Sequence, residues 1–432
     1  MIEIFFLFIE LFIIGFTIYL FLYKKELAII YIPTLLFAQT VVTPVLPAMT
    51  YYIIFSLFIL YFIYFNTSFL RENVFSIFLL LYYAILVTQS PDIENIRGSL
   101  FSVTWLFLAI PLIASIYRKF TRDELLKELS HAAFILLLIF VFNVVISTYT
   151  GYAPNAMYGI TTGILYGNLY ATDFNVLSLA AFVVLLRAVN KKSIIYFLLF
   201  VISFAFITLS LRRSVMGLAA LGIAIAVLLL LTQRSIIKVA FFSGLAVILG
   251  FFIIANTSFM TVLIERYEHR NLAERELEEE KRFLEYEVLY EDMFIYEDYN
   301  PWFGYGLFNS AGNYGKGIFE QRTLHSDLTN MAHSSGIIGV LLYMLMIYTS
   351  FWKSYKSSIT RADKLFLFYC VIVFIVYTTT GRYTTIENIW FIFLLAMLPL
   401  AKPKEVDKPN ITLKKDKPAL KIDVNSLRTP AY

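Results

Sequence analysis

The stretch "SLRRSVMGLAALGIAIAVLLL", residues 210–230, decides the fold class of this chain. Arg212 and Arg213 stand directly before an apolar run that reaches Leu231 without a charged residue. Such a run approaches the roughly 20 residues that an α-helix needs to cross the hydrocarbon core of a bilayer. The stretch therefore predicts a membrane-spanning helix with two arginines at one of its ends.

The composition extends this prediction to the whole chain. Hydrophobic residues make up 59% of the 432 residues and charged residues 15%, whereas soluble domains are about half apolar and a quarter charged. The net charge of +4 equals the basic excess from Lys402 onward, so the remainder is neutral and does not suggest nucleic-acid binding. A single cysteine, Cys370, excludes an internal disulfide and a cysteine-based metal cluster.

Apolar runs of similar length recur along the chain. We predict an all-α polytopic membrane protein with about 12–13 transmembrane helices and one long, largely helical external loop. The start of the chain lacks the basic region and cleavage site of a signal peptide, so we expect the first run to remain as a span. The predicted spans are residues 4–22, 27–46, 50–65, 73–89, 98–117, 131–149, 172–189, 193–210, 214–232, 237–255, 331–351, 364–380 and 385–401.

Basic residues orient these spans. Alternate short loops are rich in Lys and Arg, which favours the cytoplasmic side of a membrane. This orientation puts the amino terminus outside and the long loop on the periplasmic or external face of the membrane. The basic loops are residues 23–26, 69–73, 117–128, 190–193, 232–238 and 352–364.

The chain divides into four predicted segments. They are a transmembrane bundle of about ten spans at 1–255, a periplasmic loop at 256–330, transmembrane helices at 331–401 and a disordered basic cytoplasmic tail at 402–432. The first part of the loop is acidic and lacks Gly and Pro, which predicts an amphipathic helix with Leu284 and Val288 on one face. "NPWFGYGLFNSAGNYGKG" then predicts a glycine-rich turn.

Arg212 and Arg213 oppose the positive-inside pattern, since they lie at the predicted external mouth of a span. A basic side chain near the middle of a membrane costs roughly 2.5–3.5 kcal/mol on insertion scales, and less near an interface. One interpretation is that both arginines reach lipid phosphates. The other is an anion site, because the guanidinium group binds phosphate or diphosphate in a bidentate manner. Further arginines on the predicted external face are Arg266, Arg270, Arg282, Arg322 and Arg382.

Two of the four histidines lie in "RTLHSDLTNMAHSSGIIGVLLY", residues 322–343. In a helix that begins near Ser326, His333 would lie roughly 12 Å deeper than His325, which places the two too far apart to act on one atom. His333, beside small and polar residues, is typical of helix packing. His325 is either a solvated interfacial histidine or a general base that acts near neutral pH. No metal-binding or phosphate-loop motif accompanies them.

The order of these motifs resembles the bacterial O-antigen ligase/polymerase family of membrane glycosyltransferases. Its members carry a Ser-Arg before one span, a long external loop that ends in Pro-x-x-Gly-x-Gly, and a His eleven residues before a Gly-Ile-Ile-Gly-like helix. His325 stands eleven residues before Gly336, so the resemblance selects His325 over His333. The resemblance covers residues 210–342. The other matching positions are Arg212 or Arg213, Arg282, Pro301, Gly304 and Gly306.

The resemblance implies a reaction and its partners. The donor would be a glycan on undecaprenyl diphosphate at the external leaflet of the bilayer, and neither a metal nor a cofactor would be needed. The arginines would hold the diphosphate, His325 would deprotonate the acceptor hydroxyl, and the configuration at the sugar would invert. The acceptor would be a lipid-linked repeat unit for a polymerase or lipid A-core for a ligase, and the resemblance also allows for a chain-length regulator protein.

Three alternatives remain open at this point. We favour a polymerase over a ligase, because the distinctive first half of the chain is typical of a strain-specific sugar substrate. A flippase or transporter would be expected to show internal repeats and polar residues at mid-membrane, whereas the sequence shows no repeat and its charges collect at one external face. A peptidoglycan polymerase would be expected to show a catalytic acid in the external loop, and no motif singles out one of the many acids there.

Overall fold

A computed structural model describes residues 2–41, 46–152, 165–169, 174–210, 212–230, 261, 281–380 and 383–403. Within these residues the regular secondary structure is helical and no strand is formed, which confirms the predicted all-α class. The α-helices are α1 (Ile2–Tyr19), α2 (Ile32–Thr40), α3 (Ala48–Phe65), α4 (Val74–Leu86), α5 (Ile93–Tyr117), α6 (Arg122–Thr150), α7 (Asn175–Lys191), α8 (Ile194–Leu209), α9 (Arg213–Leu230), α10 (Lys281–Phe294), α11 (Asp327–Ser357), α12 (Arg361–Thr380) and α13 (Ile386–Ala396).

Six helical stretches among the described residues are long and apolar enough to cross a membrane. They are Glu3–Thr40, Ala48–Phe65, Ile93–Tyr117, Arg122–Thr150, Asp327–Ser357 and Arg361–Thr379, and four shorter apolar helices accompany them. A helix satisfies its own backbone hydrogen bonds, which is why apolar runs in lipid adopt this conformation. The described part of the chain is therefore a polytopic helical membrane protein.

The region predicted as a separate span at 27–46 differs from the prediction. A π-helical turn and a 3-10 segment follow α1, and the α-helix α2 then covers only Ile32–Thr40. Pro33 stands in the first turn of α2, where its missing N–H costs no helical hydrogen bond. The predicted span at 237–255 and nearly all of the predicted tail at 402–432 lie outside the described residues.

Charged residues from several predicted cytoplasmic loops pair with one another at one end of the bundle, which we call the basic end. Lys119 pairs with Glu26 at 2.6 Å, and both Arg118 and Lys353 pair with Glu72, at 2.8 and 3.3 Å. Exposed ion pairs of this kind contribute at most about 1 kcal/mol each. They show that four of the six basic loops lie close together.

The helix α11 is broken at Gly336, whose φ of 62° and ψ of −168° are not helical. In an unbroken helix the N–H of Ile337 would bond to the carbonyl of His333. Instead, Ile337 donates to the carbonyl of Pro301 at 2.9 Å, and the carbonyl of His333 accepts from Tyr305 at 2.7 Å. The turn at 301–305 therefore replaces one helical hydrogen bond with two bonds between the loop and α11.

Two glycines make this close approach of backbones feasible. A Cβ atom at Gly304, where φ is +78°, would lie 2.6 Å from the carbonyl oxygen of His333. A Cβ atom at Gly336 would overlap the carbonyl group of Trp302. We call this contact between the turn at 301–305 and α11 at Gly336 the junction. Tyr82 of α4 adds to it, since its hydroxyl donates to the carbonyl of Ser335 at 2.8 Å.

We expect Gly336→Ala to separate the turn from α11. Its backbone lies in a region open essentially to glycine alone, where strain costs about 1–3 kcal/mol before any steric overlap is added. The variant should unfold at a lower temperature in detergent, and its 281–326 segment should be cut faster by trypsin.

Gly217→Ala is the matched control, because a Cβ at this α9 position meets nothing within 4 Å. An unchanged melting temperature together with unchanged protease resistance in Gly336→Ala would contradict the role given to the junction.

Candidate active site

The helix α10 lies outside the six membrane spans and packs through one face. The residues buried on this face are Glu285, Val288, Leu289, Asp292 and Met293. Leu284, one turn before Val288 on this helix, is 37% exposed and lies at the edge of the buried face. The apolar members join a cluster with Tyr299, Tyr314, Phe319 and Leu324. This cluster holds α10 against the rest of the loop.

Asp292 ties α10 to the glycine-rich segment. Its carboxylate accepts a hydrogen bond of 2.7 Å from the backbone N–H of Gly315, where φ is +64°. Burial raises the pKa of this carboxyl, an effect that the Gly315 hydrogen bond opposes. The contact fixes the segment that leads to His325.

Glu285 connects α10 to His325. One oxygen of its fully buried carboxylate accepts the backbone N–H of His325 at 3.0 Å, and the other lies 3.2 Å from Nδ1 of the His325 ring. Arg322 forms an ion pair with the same carboxylate through Nη2, and its Nε donates to Nδ1 of His325 at 3.1 Å. One carboxylate, one guanidinium and one imidazole therefore form a single cluster.

The Glu285 carboxylate is ionised in this cluster. Burial alone would raise its pKa, but the hydrogen bonds from His325 and the positive charge of Arg322 outweigh burial and hold the pKa below its usual range. A buried carboxylate is costly unless it is paired and hydrogen-bonded, and here it has both kinds of partner. The guanidinium of Arg322 also lies 5.2 Å from the centre of the Phe319 ring.

The other face of the His325 side chain is open. The side chain is 35% exposed, and its Nε2 makes no hydrogen bond with any residue that the structure describes. An anchored Nδ1 and an accessible Nε2 are what a histidine needs to exchange a proton with a bound molecule.

His333 is a packing residue. It is fully buried, its Nε2 hydrogen-bonds the carbonyl of Asn313 at 2.9 Å, and its ring lies 5.2 Å from that of Tyr299 and 5.3 Å from that of Tyr305. Its carbonyl belongs to the junction at Gly336. The role in packing agrees with the expectation from its small, polar neighbours in the sequence.

Ser326, the N-cap residue of α11, attaches residues 322–326, which we call the His325 segment, to the bundle. Its hydroxyl donates to the carbonyl of Thr378, near the end of α12, at 3.0 Å. Tyr286 of α10 reaches the same hydroxyl at 2.5 Å. His325 therefore lies beside the end of α12, at what we call the loop end of the bundle.

The helix pairing brings Arg212 to the same end. Its guanidinium lies 5.7 Å from the centre of the Phe174 ring, directly before the first turn of α7. Ser178, in the first turn of α7, hydrogen-bonds Tyr377 of α12 at 2.9 Å. Since Tyr377 precedes Thr378, Arg212 lies at the level of the helix end that carries the His325 segment.

The remaining predicted arginines have different positions. Arg213 begins α9 and is exposed, so it lies beside Arg212 at the loop end. Arg322 is engaged with Glu285 and His325 as described. Arg282 lies in the first turn of α10, but its side chain is outside the described part of the structure, as are Arg266, Arg270 and Arg382 altogether.

A family model described as O-antigen ligase matches residues 198–344, from within α8 to within α11. This match confirms the resemblance to the O-antigen ligase/polymerase family. It covers about a third of the chain and includes Arg212, His325 and the junction at Gly336. No curated protein matches the chain. The O-antigen ligase match and the apolar helices together indicate a multi-pass membrane enzyme.

Glu285 lies within the segment that the family model matches, and the sequence did not single it out. It is one of thirteen acids between Glu265 and Asp298, and no motif distinguishes it. The only local signal is its helical spacing from Val288 and Asp292, which lie on the same buried face.

Proposed function

We propose that the protein is a metal-independent, inverting glycosyltransferase that moves a glycan from undecaprenyl diphosphate to a hydroxyl of an acceptor sugar. The observation that carries the proposal is the state of His325, whose Nδ1 is held by Glu285 and Arg322 while Nε2 remains accessible. Arg212 and Arg213 at the same end of the bundle supply positive charge for an anionic donor. The O-antigen ligase match supports this class of enzyme.

In the proposed reaction, Nε2 of His325 takes the proton of the acceptor hydroxyl. The hydroxyl oxygen attacks the anomeric carbon from the face opposite the diphosphate, so the configuration inverts. Charge grows on the departing diphosphate, and arginine donors fixed in advance stabilise such charge in the transition state. Arg212, Arg213 and Arg282 are the proposed diphosphate contacts, with Arg266, Arg270, Arg322 and Arg382 as further candidates.

We assign the loop end to the external, periplasmic face of the inner membrane. Four predicted cytoplasmic loops meet at the basic end, and Lys and Arg favour the cytoplasmic side. The turn at 301–305 would then lie at the outer leaflet, where Trp302 and Phe303, 55% and 44% exposed, suit an interface with lipid headgroups.

Within this class we favour an O-antigen or surface-polysaccharide polymerase, in which the acceptor is a second lipid-linked repeat unit. A ligase that transfers the glycan to lipid A-core is the second candidate, and the description of the matching family model favours it. A chain-length regulator protein would be a partner of the polymerase only.

Deletion of the gene, followed by gel electrophoresis of lipopolysaccharide, separates these candidates. A polymerase predicts core carrying a single repeat unit, because ligation continues without chain growth. A ligase predicts bare core and accumulated lipid-linked polymer. Surface glycan of unchanged length and amount would contradict both.

His325→Ala should reduce the rate of glycan transfer by about 10²–10⁴-fold, the usual contribution of a general base. The melting temperature should change little, because the side chain is partly exposed. Transfer should be measured with purified protein and with lipid-linked glycan extracted from the deletion strain.

His333→Ala serves as the contrast, since removal of this buried ring should lower the melting temperature first and activity only as a consequence. Wild-type transfer by His325→Ala would exclude His325 as the base.

Replacement of both Arg212 and Arg213 by Gln should weaken transfer by at least about 100-fold, the cost of removing one fixed donor to a developing anion. Loss of affinity should also raise the KM for the lipid-linked donor. Arg71→Gln is the control, because Arg71 is an exposed arginine next to Glu72 at the basic end. Normal kinetics in the double variant would remove both residues from the proposed diphosphate site.

A further inference from the structure

Two groups compete for one nitrogen of His325. Nε of Arg322 donates to Nδ1 at 3.1 Å, and an oxygen of Glu285 lies 3.2 Å from the same nitrogen. A nitrogen of a neutral imidazole either carries a proton and donates or carries a lone pair and accepts. Arginine can only donate and an ionised carboxylate can only accept. The neutral ring can therefore satisfy one neighbour at a time.

The two neighbours differ in their exposure to solvent. Glu285 is fully buried on α10 and also accepts the backbone N–H of His325, so its carboxylate stays beside the ring. Its lowered pKa, caused by the His325 hydrogen bonds and the Arg322 charge against the effect of burial, keeps it an acceptor. The side chain of Arg322 is 23% exposed, so an anion can approach it from solvent.

The choice at Nδ1 decides what Nε2 can do. When Arg322 donates to Nδ1, the proton of the neutral ring sits on Nε2, and the accessible nitrogen cannot accept a proton. When Glu285 accepts from Nδ1, the proton sits on Nδ1 and Nε2 carries the lone pair. Only the second form is a general base toward a bound hydroxyl.

We propose that Glu285 and Arg322 select the tautomer of His325, with Glu285 as the positioning residue of the active form and Arg322 as the group that holds the resting form. This inference rests on the proposed transferase function. Arg322 leaves the ring when its guanidinium binds a phosphate oxygen of the lipid-linked donor, for which its fork of N–H groups is well suited. Donor binding then switches His325 to the basic form before the acceptor reacts.

The proton balance of the reaction is complete without a further reactant. The acceptor proton moves to Nε2, a bond forms between the acceptor oxygen and the anomeric carbon, and the bond from that carbon to the diphosphate oxygen breaks. The imidazolium that results donates Nδ1–H to Glu285, which remains ionised. The proton on Nε2 then passes to the released diphosphate or to water.

Glu285→Gln is the decisive variant, because the amide keeps the shape but can donate to Nδ1 and so favours the inactive tautomer. We expect kcat to fall at least about 100-fold, with KM for the extracted lipid-linked donor changed less than about threefold. Glu285→Asp, which keeps the acceptor charge, should recover a substantial part of kcat. Glu287→Gln is the matched control, since Glu287 is an exposed acid on the same helix.

Arg322→Gln tests the second half of the inference. It should raise KM for the donor by at least about tenfold and lower kcat less than Glu285→Gln does. A purely structural ion pair would instead lower kcat and the melting temperature together in both variants, and Glu285→Asp would then offer no recovery.

His325→Ala distinguishes the failure of this inference from that of the proposed function. If His325→Ala is inactive and Glu285→Gln works at the wild-type rate, tautomer selection is overturned and the transferase proposal stands. If His325→Ala itself is fully active, both are overturned.

Discussion

The structure depends on how the backbone groups released at Gly336 are satisfied. A break in a membrane helix leaves donors and acceptors that lipid cannot satisfy, so the protein must supply partners. The turn at 301–305 supplies them, with Ile337 bonded to Pro301 and Tyr305 bonded to His333. Main-chain hydrogen bonds therefore attach the loop to α11. They also limit the positions that α10 and the His325 segment can take.

The second constraint is the burial of the Glu285 carboxylate. Because it has no access to water, it must be paired, and its partners come from the segment that carries His325. The packing of the apolar face of α10 fixes the position of Glu285, and the junction at Gly336 fixes the position of the helix that follows His325. Packing energy in the loop is thus coupled to the orientation of one imidazole, which is the group that the proposed chemistry needs.

The spans were largely predictable, because an apolar run in lipid has few alternatives to a helix. The exception at 27–46 reflects the π and 3-10 turns after α1, which leave only Ile32–Thr40 for α2. The resemblance to the O-antigen ligase/polymerase family selected His325 through its spacing from Gly336, and its catalytic role stays a prediction. Glu285 was not selected in this way, because its contact with His325 joins residues 40 positions apart on elements whose approach depends on tertiary packing.

The eleven-residue interval between His325 and Gly336 has a physical reason in this geometry. Ser326, the N-cap residue with φ of −87° and ψ of 143°, begins α11, so His325 directly precedes the helix and Gly336 breaks it about two and a half turns later. The loop contacts the chain at both positions, through Glu285 at His325 and through Pro301 and Trp302 directly after Gly336. An interval longer by two residues would turn His325 by about 200° away from the side that the loop covers. The interval therefore sets the position of the His325 imidazole relative to the junction. A change in its length would separate His325 from the Glu285 carboxylate even if every side chain were retained.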